Sequence, residues 1–143
     1  MAELTFSCTV SKIGTADLNL KAFVDDTKFF DSSPTATSTQ IGFSIVDDEQ
    51  QHTIKFVLSG KLSSDTELDS LGNFIKDTSI VINNFTFENV ECDHWINQII
   101  TYSHNSNGHG AEIQDSFGGV MGCNGTASFN FQTPIFVWLM DNM

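Results

Sequence analysis

Arginine is absent from this chain, and six lysines stand against eighteen aspartates and glutamates for a formal net charge of −12 at pH 7. Proteins that grip nucleic acid neutralise phosphates and read guanine with bidentate Arg. With neither the charge nor the side chain, no nucleic-acid partner is expected. The anionic face of a membrane is disfavoured for the same reason, and no apolar run approaches the roughly 20 residues a spanning helix needs. Cysteine is scarce too. Cys8, Cys92 and Cys123 are widely spaced and odd in number, which argues against a disulfide framework or a zinc knuckle. The opening MAELTFSCTV has an early acid instead of a basic region followed by a long apolar one. It predicts no secretory leader and free thiols made in a reducing cytoplasm. Neither a GxSxG elbow nor any other ordered catalytic motif occurs. Since Arg is also missing as a stabiliser of developing anions, no enzymatic activity and no required cofactor are expected.

What the chain has is apolar substance in alternating order. Thirteen Phe and 40% hydrophobic residues in 143 suffice for one domain, 1–143, able to bury about 70% of its unfolded surface. Leu4, Phe6, Cys8 and Val10 alternate with Thr5, Ser7 and Thr9, the period-two pattern of a strand with one buried face. Leu18, Leu20 and Ala22 repeat it up to a turn at Asp25-Asp26-Thr27, and Ile41, Phe43 and Ile45 form another strand. Asp47-Asp48-Glu49 turns into Ile54, Phe56 and Leu58, reading as a hairpin. DSLGN, Asp69 to Asn73, is a turn between short arms. Ile80, Ile82, Phe85 and Phe87 mark a strand with a bulge at Asn83-Asn84. Residues His94 to Tyr102 would form a helix face with Asp93 as cap, but Ile, Thr and Tyr prefer strands, and a strand is expected. A polar loop over 104–118 follows. Seven to nine short strands predict an all-β, antiparallel β-sandwich of jelly-roll or immunoglobulin-like kind.

The most apolar stretch lies at the end. Ile135, Phe136, Val137, Trp138, Leu139 and Met140 run without a polar break, and a strand of that kind needs cover on both faces. An apolar C-terminal strand over 134–140 is therefore expected, either inserted into the domain's own sheet or, as the preferred reading, docking against identical copies or another protein through these six residues. Three further groups could hold ligands. Asp25, Asp26, Asp47 and Asp48 crowd together if their turns share one end of the sandwich, and would then favour Ca²⁺. His104, Asn105, Asn107, His109 and Asp115 supply imidazoles and a carboxylate to the long loop, for which a solvated loop is the plainer reading. Asp65, Glu67 and Asp69 alternate as in a calcium loop, but Ser70 and Lys76 stand where an EF-hand has Gly and Glu. Trp95, Trp138 and the lone Tyr102 could offer faces to a sugar, though large aromatics usually go to the core.

The segments DDEQQHTIKFVLSGK, ITYSHNSNG, FGGVMGCNG and TPIFVWLMDNM, about half the chain, resemble small acidic β-sandwich proteins of tailed bacteriophages of cyanobacteria and other aquatic bacteria. That resemblance implies a virion component made in the host cytoplasm, a capsid decoration protein or a tail or baseplate appendage, with other virion proteins as partners. The first segment with the preceding LNLKAFVDD also resembles calcium-dependent, xylan-binding carbohydrate-binding modules. This second resemblance implies a glycan held through Ca²⁺.

Overall fold

The computed structural model describes residues 3–62, 67–104 and 111–142. In chain order its elements are β1 (Glu3–Ile13), β2 (Asn19–Val24), β3 (Thr27–Ser32), β4 (Thr39–Val46), β5 (Gln51–Ser59), β6 (Glu67–Leu68), β7 (Phe74–Lys76), β8 (Ser79–Phe87) and β9 (Val90–Glu91), then α1 (Asp93–Ile99), β10 (Thr101–His104), β11 (Ile113–Ser116), β12 (Val120–Met121), β13 (Gly125–Gln132) and α2 (Ile135–Asn142). One sheet has the order β12-β8-β1-β4, with β9 on β8. The other runs β11-β10-β13-β5-β2-β3, and β6 pairs only with β7. Every pairing between these strands is antiparallel. The protein is an all-β sandwich. It has more strands than alternation alone predicts, because β9 and β12 are two residues each.

The buried phase of each long strand supplies the core between the sheets: Leu4, Phe6, Cys8 and Val10 from β1, Ile54, Phe56 and Leu58 from β5, Ile80, Ile82, Phe85 and Phe87 from β8. Phenylalanine rings interlock there, Phe87 lying 5.0 Å from both Phe6 and Phe131. Phe29 and Phe43 meet at 5.0 Å, joining β3 and β4 where the chain crosses between sheets. The expected bulge is real. The β1–β8 register shifts between Ser7 and Thr9, and Asn84 has φ 55°. The Asp93 carboxylate accepts from the freed Asn84 and Phe85 amides at 2.9 and 2.6 Å.

Two expectations are corrected. Residues 93–99 form a helix, with Cys92 at its N-cap position, and the strand starts only at Thr101. Both periodicities in that segment are genuine but consecutive: Trp95, Ile96 and Ile100 face the core, and burial overrides the strand preference of Ile. The apolar run is also a helix. A strand over 134–140 would need cover on two faces, whereas a helix needs it on one stripe, and Pro134 suits the entry because its missing N–H costs nothing there. Ile135 and Leu139, one turn apart, are buried in the chain's own core. Trp138 is half-buried, while Phe136, Val137 and Met140 stay 57%, 57% and 79% exposed. Backbone pairing of this segment with another chain has no basis in a helix. The DSLGN turn stands as expected: Asp69 Oδ1 accepts from the Leu71 and Asn73 amides, both at 2.9 Å. Asp65 lies outside the described residues.

One end of the sandwich is tied by a buried cation. Lys61 follows β5 and its side chain is 1% exposed. Its ammonium donates to Asp77 Oδ1 at 2.6 Å, the Thr78 carbonyl at 2.7 Å and the Gly122 carbonyl at 2.6 Å. Asn124 fixes the Lys61 backbone from both sides, accepting from its N–H at 2.9 Å and donating to its carbonyl at 2.8 Å. All three ammonium donors are thereby satisfied. Lys61→Met keeps the stem and removes the charge, taking the ammonium from the Thr78 and Gly122 carbonyls and the cation from Asp77, which keeps its bond from the Thr78 N–H. We expect a loss of about 3 kcal/mol in urea unfolding. A shift under about 0.5 kcal/mol, the range of ordinary surface changes, would show that the clamp carries little of the stability.

Candidate functional site

The strand registers decide which candidate residues can meet. Val24 pairs with Ile54 on β5, and Phe131 pairs with His52, so the turns after β2 and before β5 lie at one end of the six-stranded sheet. His104 pairs with Gly125, which pairs with Leu58. The span of β5 from His52 to Leu58 is about 20 Å at roughly 3.3 Å per residue. The Asp25 and Asp47 turns and the His104 segment are thus at opposite ends and cannot grip one ligand together.

At the first end, Asp25 and Asp48 do come together, as crowded turns predict, and a side chain absent from the candidate set stands between them. His52 Nδ1 lies 2.7 Å from Asp25 Oδ2 and His52 Nε2 lies 2.8 Å from Asp48 Oδ1, while the ring stacks on Phe131 at 5.3 Å. Neutral imidazole has one N–H, so two carboxylate acceptors are both satisfied only by imidazolium. Burial alone lowers the His52 pKa, but hydrogen bonds and charge from Asp25 and Asp48 outweigh it and raise the value above 6.5. For Asp25, partial burial pushes upward and the His52 and Thr53 hydrogen bonds prevail, so its pKa is lowered. For Asp48 the His52 hydrogen bond leads, with the same net direction. His52 occupies the buried phase of β5 with Ile54, Phe56 and Leu58. A histidine in a core-facing position between two Asp-rich turns was the signal that could have found it.

This arrangement does not fit the calcium site that the sequence implies. Asp25 and Asp48 spend oxygens on His52, and among the described residues no group of three or more His, Cys, Asp or Glu side chains is gathered as a metal needs. Asp26 is exposed in its turn, and Asp47 Oδ1 is buried with no hydrogen-bond partner among the described residues.

Beside this cluster, β13 runs into α2. Thr133 locks the junction: its N–H donates to the Gln50 carbonyl at 3.0 Å, its hydroxyl accepts from the Gln50 N–H at 2.8 Å and lies 3.0 Å from Asp48 Oδ1. Gln132, Thr133, Pro134, Val137, Trp138 and Asp141 line a cleft of about 210 Å³. Trp138 is held from behind by Phe87 at 5.6 Å, Trp95 at 5.2 Å and Phe131 at 6.2 Å. Of the aromatic side chains considered for a sugar, Trp95 and Tyr102 are buried and Trp138 alone reaches a cleft.

At the opposite end His104 Nε2 lies 2.6 Å from Asp115 Oδ2, across the β10–β11 pair, with Tyr102 at 4.8 Å from the imidazole. Within the expected polar loop, His104 ends β10 and residues 113–116 form β11. Asn105, Asn107 and His109 lie outside the described residues. The thiols are poor nucleophiles: burial raises the pKa of Cys8, Cys92 and Cys123, that of Cys92 to about 11.

No protein-family model and no curated protein matches the sequence. Among solved structures the fold is similar to that of vCBM60 in complex with galactobiose, with a TM-score of 0.51 and 9% identity, over 88% of this chain and 98% of that one. At such identity the likeness is one of fold. It meets the carbohydrate-binding resemblance at that level, and none of these comparisons meets the phage resemblance.

The His52 pairings set a pH window. A raised folded pKa means that the His52 contribution is complete below its unfolded value of about 6.5 and is lost as pH rises through the folded value. The lowered Asp25 and Asp48 values mean that their contributions are complete above about 3.9 and lost as pH falls through the folded values. The Tm difference between wild type and His52→Gln should accordingly be largest near about pH 5–6 and shrink on the alkaline side. Thermal melts from pH 4 to 9 check this, and a difference independent of pH would refute the doubly paired imidazolium.

Proposed function

We propose that the protein is a non-catalytic carbohydrate-binding module that recognises neutral glycans without calcium. The observation that carries this reading is the fold itself, which follows a carbohydrate-binding module through 88% of the chain. The sequence resemblance of the LNLKAFVDD and DDEQQHTIKFVLSGK segments to modules of that class adds support. Calcium is left out because His52 already bridges Asp25 and Asp48. Charge narrows the ligand: a chain of net charge −12 without Arg repels polyanions, so uronic-acid polymers and sulfated glycans are poor partners. Isothermal titration with galactobiose, xylan and galacturonan oligosaccharides, each with Ca²⁺ and with chelator, tests the reading. Binding to a neutral sugar, unchanged by chelator, is the expected result. Retention of none of them would count against glycan binding, and loss on chelation against its calcium independence.

A second reading is favoured by one specific observation. The outward face of α2 carries Phe136, Val137 and Met140, all more than half exposed, which suits a contact with identical copies or, as the phage resemblance implies, with other virion proteins. Truncating 134–143 would remove Ile135 and Leu139 from the core, so point changes are the cleaner probe. Under this reading the chain is an oligomer by light scattering, and Phe136→Ser with Met140→Ser makes it a folded monomer. A monomeric wild type would remove self-association from consideration.

A further inference from the structure

We infer that the cleft between the end of β13 and α2 is a subsite for a single neutral sugar ring, a step that rests on the glycan-binding reading above. Three features of the cleft converge on that ligand. First, its aromatic wall is fixed. Trp138 is wedged against Phe87, Trp95 and Phe131, so stacking a pyranose C–H face on the indole orders no loose side chain. Second, its polar groups suit hydroxyls. The Gln132 amide both donates and accepts, and the Asp141 carboxylate accepts only. Both side chains are exposed, and neither makes a side-chain hydrogen bond among the described residues, in contrast with Thr133, whose hydroxyl is spent on Gln50 and Asp48.

Third, size and charge restrict the occupant. At about 210 Å³ the cleft is smaller than the roughly 300–1,000 Å³ of pockets that enclose drug-sized molecules, so it takes one ring and leaves the remainder of a chain outside. Asp141 in the cleft, with Asp48 behind Thr133, opposes a carboxylate or sulfate on that ring. The subsite is also held open before binding, since Thr133 joins its wall to the Asp48–His52–Asp25 cluster. Recognition is therefore centred on α2, and the His104–Asp115 pair at the far end takes no part.

The test uses the full chain on an array of neutral and uronic-acid-containing oligosaccharides, followed by titration of the retained neutral glycan while tryptophan emission is read. Wild type should retain neutral and not acidic glycans, with a change in emission from Trp138. Gln132→Ala with Asp141→Ala should weaken retention at least tenfold with Tm unchanged, and Asp115→Asn should leave it unaltered. Trp138→Phe, which keeps a ring in the aromatic cluster, should weaken binding and abolish the emission change. If wild type retains a neutral glycan and the Gln132/Asp141 variant retains it equally, the subsite is wrong while the glycan-binding reading stands. Preference for uronic-acid glycans overturns the ligand class. If wild type retains nothing, the reading and the subsite fall together.

Discussion

The Lys61 ammonium has three acceptors, one carboxylate and two main-chain carbonyls, on two separate stretches of chain: Asp77 and Thr78 on one, Gly122 on the other. Burying a charge costs several kcal/mol unless it is both paired and fully hydrogen-bonded, and here both conditions are met. The bonds tie the end of β5 in one sheet to the start of β8 and the exit of β12 in the other. Hydrophobic packing between the sheets does not itself specify how they are aligned along the strand direction. A buried cation with three directional donors does, and the Asn124 side chain holds its backbone in place.

At the other end His52 has the corresponding role, with two carboxylates as its partners. It stands between Asp25 and Asp48 as a cation made by the chain, joining the turn after β2 to the turn before β5. In a protein with eighteen acids and no Arg, these two sites neutralise carboxylates at the ends of the strands, as Lys28 does for Asp31 on β3 and His104 faces Asp115 across β10 and β11. His52 is a cation only while both ring nitrogens hold a proton, and its hydrogen bonds and charge interactions with Asp25 and Asp48 raise its pKa in favour of that state.

The sandwich was legible because period-two alternation is a direct consequence of having one face in the core, and β1, β2, β4, β5 and β8 all announce themselves that way. The helices were not. In Trp95 to Ile100 a short helix is followed at once by a strand, so one window contains two periods. In Ile135 to Met140 every residue is apolar, so no period can be read at all, and only packing shows that Ile135 and Leu139 form the inward stripe. The meeting of Asp25 with Asp48 followed from turns sharing an end, but their partner His52 was hidden as one residue of an apparently ordinary strand. Opposite ends for the Asp25 and His104 groups depended on register, which alternation does not encode.

The helix α2 is divided between several tasks. Ile135 and Leu139 fix it to the core, Trp138 and Asp141 line the cleft, and Phe136 and Met140 face outward. Val137 belongs to two of these surfaces, lining the cleft while remaining 57% exposed. A protein partner that covered Val137 would change the cleft wall, and a sugar in the cleft would change the surface offered to that partner. Any coupling between the two must be equal in both directions, because it is one free energy seen from either site. The glycan and assembly readings are therefore physically linked through a single side chain.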